Sequence, residues 1–231
     1  MKKIIIFLWV IVPFTLLGQE SDIVDVQQLM KRSEEGDATA QAFLGCCYEE
    51  GLLKLEKSYE KATYWYEKAA EKGNALAQCS LGRFYYYGIG KIQSYYNAFY
   101  WYEKAAQQGL AEAQYSLAKL YAYGKGTELS STKAAYWSEK AAEQNYSEAQ
   151  LMIAILYSMG EGVKQSNSKA FHWALKAAIS GNERAQTLVG LAYYQGKGVE
   201  KSKAQALYWL RKACENLEDK ACEYLNEIRW E

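Results

Sequence analysis

Trp65, Trp101, Trp137, Trp173 and Trp209 recur every 36 residues, and each sits in nearly the same phrase: ATYWYEKAA, AFYWYEKAA, AAYWSEKAA, AFHWALKAA and ALYWLRKAC. One fixed period of this length excludes a single irregular core. It demands a supersecondary unit stacked on copies of itself. A second phrase keeps the same register. An Ala followed by Gln stands at Ala40, Ala77, Ala113, Ala149 and Ala185. Four residues on comes Leu44, Leu81, Leu117, Ile153 or Val189, and eight on Tyr48, Tyr85, Tyr121, Tyr157 or Tyr193. Offsets of zero, four and eight lie on one face of a helix, so each unit opens with a helix whose buried stripe is this series. The small residue after the apolar one (Gly45, Gly82, Ala118, Ala154, Gly190) lets a neighbouring helix approach closely.

The Trp phrase is the second helix of each unit. Ala three before and four after each Trp predict that the ring lies against a partner helix, its burial contributing about 3 kcal/mol. Between the helices Gly88, Gly124, Gly160 and Gly196 hold the period, as do Gly90, Gly126, Gly162 and Gly198. This Gly-x-Gly reverses the chain; no strand precedes it, as a dinucleotide site would need. The second helices close at Gly73, Gly109, Asn145 and Gly181, residues that tolerate the left-handed conformation. The first unit departs from the pattern, with Leu53 at the second glycine position and one extra residue before Trp65. A different turn is expected there, with Leu52, Leu53 and Leu55 exposed or packed on an N-terminal helix.

Outside the repeats, residues 21–35 show the three-and-four spacing of an amphipathic helix through Ile23, Val26, Leu29 and Met30. Residues 217–231 restart the first-helix phrase with no second helix after it, as a capping helix would. At the start, Met1-Lys2-Lys3 precedes an apolar run over 4–17 that holds the only proline, Pro13. This predicts a signal peptide over 1–18, cleaved after Gly18. The run is short of the roughly 20 residues a spanning helix needs, so no stable membrane span remains after cleavage; a retained anchor is the other reading. The domains are then 1–18, an N-terminal helix over 19–36, five repeats over 37–216 and a cap over 217–231. The 27 Lys and Arg against 27 Asp and Glu argue against a nucleic-acid partner.

The phrase A-x-x-x-L-G-x-x-Y-x-x-G-x-G followed by K-A-x-x-W-Y-x-K-A-A-x-x-G resembles the Sel1-like repeat, a longer-loop relative of the tetratricopeptide repeat, over residues 37–230. The resemblance implies an all-α, right-handed α/α superhelical solenoid, its first helices lining a concave groove. It implies an adaptor or scaffold for a protein or peptide partner, with no enzymatic activity and no cofactor. Carried over position by position, the groove register falls on Arg83, Tyr86, Tyr87, Tyr115, Lys119, Tyr123, Met159 and Tyr194. Cys46, Glu49, Glu50, Cys79 and Gln195 fall in the same register. Tyr, Arg and Met are enriched in protein-binding surfaces.

Cys214 and Cys222, in KACENLEDKAC, resemble the stapled cysteines of the family's secreted cysteine-rich branch, which implies one disulfide at the last helix corner. Cys46 and Cys79 lie one helical turn apart in register on adjacent first helices, where a second bond is open, and Cys47 stands where other units have Phe84, Leu120 and Leu156. A metal site is not expected: there is no Cys-x-x-Cys, and the one His, His172, replaces the Tyr of other units. The alternative function is a cell-wall or β-lactam-handling enzyme of the cysteine-rich type. Its one support is Ser116-x-x-Lys119, and the Ser-Asp-Asn and Lys-Thr-Gly elements of such enzymes do not occur. A structural spacer that uses no groove is a third reading. Export to the periplasm or beyond is expected from the N-terminal pattern.

Overall fold

The structure is a computed structural model, and it describes residues 25–216 and 219–230. The predicted signal peptide lies outside them. Among the described residues there are twelve helices and no strand. Backbone contacts divide the chain into two compact units, one ending at Gln108 and the other beginning at Gly109. The first unit holds α1 (Val26–Glu34), α2 (Ala38–Glu50), α3 (Tyr59–Glu71), α4 (Ala75–Tyr87) and α5 (Tyr95–Gln107). The second holds α6 (Ala111–Tyr123), α7 (Ser131–Glu143), α8 (Ser147–Met159), α9 (Asn167–Ile179), α10 (Glu183–Gln195), α11 (Lys203–Glu215) and α12 (Asp219–Trp230). This is an all-α repeat fold whose helices pair as first and second members of successive hairpins.

Local chemistry sets the boundaries. Every second helix starts at a serine: Ser58, Ser94, Ser130, Ser166 and Ser202 accept from the amide three residues on, satisfying one of the helix's unpaired donors. Each of these serines also donates its own amide to the carbonyl of Tyr48, Tyr85, Tyr121, Tyr157 or Tyr193, which ties the start of the second helix to the end of the first. Gly51, Gly88, Gly124, Gly160 and Gly196 end the first helices in the left-handed region. In the first repeat, Leu53 and Lys54 take positive φ where other turns use one glycine. Leu52, Leu53 and Leu55 pack, half-buried, on the cluster that also contains Leu29 of α1.

The core corrects the expectation for the tryptophans. Only Trp209 is buried; Trp65, Trp101, Trp137 and Trp173 are half-buried. They do bridge hairpins. Trp101 of α5 packs on the cluster built from α3 alanines, and Trp173 of α9 joins the cluster of Ala135, Ala141 and Ala142 from α7. The residue after each Trp is the one that plugs the hairpin. Tyr66, Tyr102, Ser138, Ala174 and Leu210 are all buried. The rings of Tyr66 and Tyr102 lie directly on Gly45 and Gly82, and Leu210 lies on Gly190.

A second buried device is the Gln that follows the repeated Ala. Gln41, Gln78, Gln150 and Gln186 donate through Nε2 to the carbonyls of Ser33, Ala70, Ala142 and Ala178 at the end of the preceding helix. Gln108 and Gln144, at the ends of α5 and α7, donate in turn to the Oε1 of Gln78 and Gln114, each at 2.8 Å. The first-helix Gln thus clamps helices on both sides of it. The next repeat has Ser180 at this position, which bonds to Lys176 of its own helix, and Gln150 Oε1 meets no donor among the described residues. A buried acceptor left unmatched costs about 1–3 kcal/mol. Ser180→Gln is therefore expected to stabilise the chain by about 1 kcal/mol in denaturant titration, with Ser180→Ala near neutral as control.

At the C-terminal end, Cys214 of α11 and Cys222 of α12 form a disulfide with Cα atoms 4.9 Å apart. Closing so short a loop contributes about 2–3 kcal/mol through chain entropy. Replacing both cysteines with Ser is expected to lower the stability of α12's packing by that amount, read as faster amide exchange at Leu225 and Ile228, which are buried against Leu210 and Ala213.

Candidate functional site

The predicted recognition face is carried by the first helices. In the first unit this face lies on α4. Arg83 is half-buried and turned inward: its Nη2 lies 2.7 and 2.8 Å from the two carboxylate oxygens of Glu49 on α2. Tyr66 donates its hydroxyl to the same carboxylate at 2.8 Å. Glu49 and Cys79, which the register placed on the groove, are buried. Glu49 braces α2, α3 and α4, and the length of Arg83 lets it reach that brace from the surface. Burial, with help from nearby Glu49, raises the Tyr66 hydroxyl well above the ordinary tyrosine range.

Tyr86 and Tyr87 form an edge-to-face pair at 4.8 Å, and Tyr86 also meets Tyr95 of α5 at 5.2 Å. Gln93 fastens this cluster by donating to the Tyr86 carbonyl and the Tyr95 hydroxyl. Tyr96 and Ile92 are exposed beside it. Cys46, Cys47 and Cys79 carry thiols, not a disulfide. Burial, then the carboxylates of Glu49 and Glu50, pushes Cys46 to about 11; burial pushes Cys47 to about 12. Neither is a thiolate at neutral pH, so neither has the character of a reactive cysteine.

In the second unit Tyr115 of α6 packs against Tyr146 at 5.3 Å, and the Lys119 ammonium lies over the Tyr115 ring at 5.4 Å. Ser116 is half-buried beside them. Tyr194 of α10 is half-buried with Lys201 over its ring. Tyr123 and Met159, on α6 and α8, point into solvent. The structure thus brings Tyr86 and Tyr87 together in one unit and Tyr115 and Lys119 in the other. It leaves Tyr123, Met159 and Tyr194 each on its own helix.

One register position stands out. Nine residues after the Gln, the side chain is large and exposed: Tyr87 at 60%, Tyr123 at 66% and Met159 at 59%. Side chains this large, kept in water at the same position of successive hairpins, contribute nothing to their own core. The chemistry on offer is contact: aromatic faces, a thioether and hydrogen-bonding tips.

Comparison with known proteins agrees with this architecture. A crystallised protective antigen present in uropathogenic Escherichia coli strains, described as displaying an SLR fold, is 34% identical; it covers 89% of this chain with a TM-score of 0.84, and this chain spans 44% of it. A Sel1 repeat protein from Oxalobacter formigenes is also 34% identical, with 82% of this chain and 78% of that one covered and a TM-score of 0.76. Among curated proteins, the ERAD-associated E3 ubiquitin-protein ligase component HRD3A of Arabidopsis thaliana is 34% identical over 73 residues, which is 32% of this chain and 10% of that protein. The family model described as Sel1 repeat matches five consecutive segments, residues 38–74, 75–110, 111–146, 147–182 and 183–216. Their boundaries fall at the hairpin boundaries seen here, and with a helix pair in each segment the chain belongs to the Sel1 repeat family.

Proposed function

We propose that the chain is an exported adaptor that holds a protein or peptide partner against the exposed ends of its first helices. The observation that carries this reading is the repeated exposure of Tyr87, Tyr123 and Met159 at one register position. Large, stiff aromatic side chains bury much area on binding for little loss of rotamer freedom, and interfaces are enriched in them. Tyr86 in the first unit, and Tyr115, Lys119 and Tyr194 in the second, are half-buried and held by ring contacts, so each is preorganised for contact. Arg83 is held by Glu49 in the first unit.

Export is supported by the charged and apolar N-terminal pattern and by the Cys214–Cys222 disulfide, a bond that persists in oxidising compartments. No described helix is long and apolar enough to cross a membrane. The relative from Arabidopsis is named as a component of a ligase assembly, which fits a role in holding other proteins together. The test is capture from envelope extract with residues 19–231 as bait, run beside a bait carrying Tyr86→Ala, Tyr87→Ala and Tyr123→Ala. A partner retained by the first bait and absent from the second supports the adaptor. A partner retained equally by both places recognition elsewhere.

A further inference from the structure

The second helices differ from repeat to repeat in charge. Two residues after the Trp, the first three repeats carry Glu67, Glu103 and Glu139, while the last two carry Leu175 and Arg211. Carboxylate thus turns to apolar and then to cation along one register. In α7, Lys140 still pairs with Glu143 at 3.6 Å. In α9 there is no acidic residue at all, and α11 has Glu215 alone. Against that one carboxylate stand Lys176, Lys203, Arg211 and Lys212, and no ion pair among the described residues includes any of the four; Lys169 turns to α8, its Nζ 3.4 Å from the Tyr157 hydroxyl. In a chain whose total charge balances, this is a local cationic surplus.

These helices also carry apolar area in solvent: Ile179 and Tyr208 are exposed, as is His172. Trp173 and Trp209 belong to one core cluster, and α10 packs against both α9 and α11. Lys176 and Lys212 lie over those two indoles, 4.7 and 5.4 Å from the ring centroids. Their ammonium groups are therefore held against a rigid surface, which reduces the rotamer freedom lost when a partner binds. The apolar side chains are separated and are not contiguous, too sparse for insertion into lipid but suited to a chain whose own carboxylates alternate with apolar residues.

We propose that the outer face of α9 and α11 is a docking surface for an acidic protein segment, its carboxylates paired with Lys176, Lys203 and Arg211 and its apolar side chains set against Tyr208 and Ile179. This surface lies on the second helices and does not depend on the first-helix reading given above.

The experiment is fluorescence anisotropy with the full chain and a labelled synthetic peptide in which Glu alternates with Leu and Tyr; the same peptide with Gln for Glu, and phosphatidylglycerol–phosphatidylcholine vesicles, are the other arms. The Glu peptide binds, binding weakens as salt is raised, and the Gln peptide and the vesicles bind far less. Lys176→Glu with Arg211→Glu raises Kd by about tenfold or more, as expected when two favourable charge contacts become repulsive. The neutral pair Lys176→Gln with Arg211→Gln gives a smaller rise and guards against misfolding, and Lys61→Glu with Lys68→Glu on α3 leaves Kd within about twofold. The proposal is overturned if the Glu peptide does not bind or the Gln peptide binds equally well. It is also overturned if the α3 variant loses as much affinity as the α9–α11 variant, or if the vesicles bind and the peptide does not.

Discussion

Gly162→Ala is expected to destabilise the second unit by about 4 kcal/mol, the sum of two independent costs. Gly162 sits at φ +71, where a Cβ costs about 1–2 kcal/mol. A Cβ placed there would also stand 2.0 Å from the Ser131 carbonyl oxygen and 2.2 Å from its carbon. Those atoms belong to backbone in the first turn of α7, so no side chain can rotate away. The turn after α8 must lift off α7, losing the packing between two successive hairpins. Gly181 is the internal control, for its φ is +93 and no atom lies within 4 Å of an added Cβ. Gly181→Ala should then cost only the conformational part, about 1–2 kcal/mol. Chemical denaturation followed by circular dichroism separates the two. Gly198 repeats the arrangement against Asn167 of α9 and should behave like Gly162.

The second large effect is a coupled pair in the first unit. Gly82→Ala is expected to cost about 3 kcal/mol, at the upper end of overpacking effects. An added Cβ would meet three atoms of the Tyr102 ring at 2.7–2.8 Å, and that ring is buried between α4 and α5. The ring is flat and stiff and cannot shorten itself. Tyr102→Ser alone should cost a similar amount by leaving a void. The double variant should be about as stable as Tyr102→Ser alone, because Ala and Ser at these positions reproduce the third repeat, where Ala118 and Ser138 occupy the same register. A double-mutant cycle then gives a coupling of about 3 kcal/mol; additive costs would contradict direct contact as the cause.

This size matching shows what could be read from the sequence and what could not. The period and the helix pairs follow from repeated residues, because one register position meets one environment in every copy; the closing staple was implied by the resemblance of Cys214 and Cys222 to the cysteine-rich branch. The Trp was given too large a share of the core, since a residue that never changes looks like the plug. The plug is the variable residue after it, and its partner varies in compensation: Gly with Tyr twice, Ala with Ser, Ala with Ala, Gly with Leu. The signal was present as opposed changes in size at two positions. The Gln clamp was missed for a related reason. A polar residue repeated five times on a buried face should be asked for its hydrogen-bond partners, and here they are carbonyls of the preceding helix end.

The recognition face was only partly legible. Register alone placed Glu49 and Cys79 on it, because helical periodicity fixes direction and not depth. Glu49 sits low enough to be claimed by Arg83 and Tyr66, and Cys79 is small enough to be covered. The position nine after the Gln lies at the last turn of each first helix, where Tyr87, Tyr123 and Met159 remain exposed. The charge change on the second helices could be read from residue identities once the register was known; that α9 and α11 hold the two indoles in one cluster required the structure.

The most direct test of the account is the affinity of a captured partner for the intact chain and for the variant carrying Tyr87→Ala and Tyr123→Ala, with thermal unfolding measured on both. The account predicts that the unfolding curves stay close, because Tyr87 and Tyr123 contribute exposed surface and not core, while affinity falls by about a hundredfold, as for the loss of two interface anchors. An unchanged affinity with an unchanged unfolding curve would contradict recognition through the first helices.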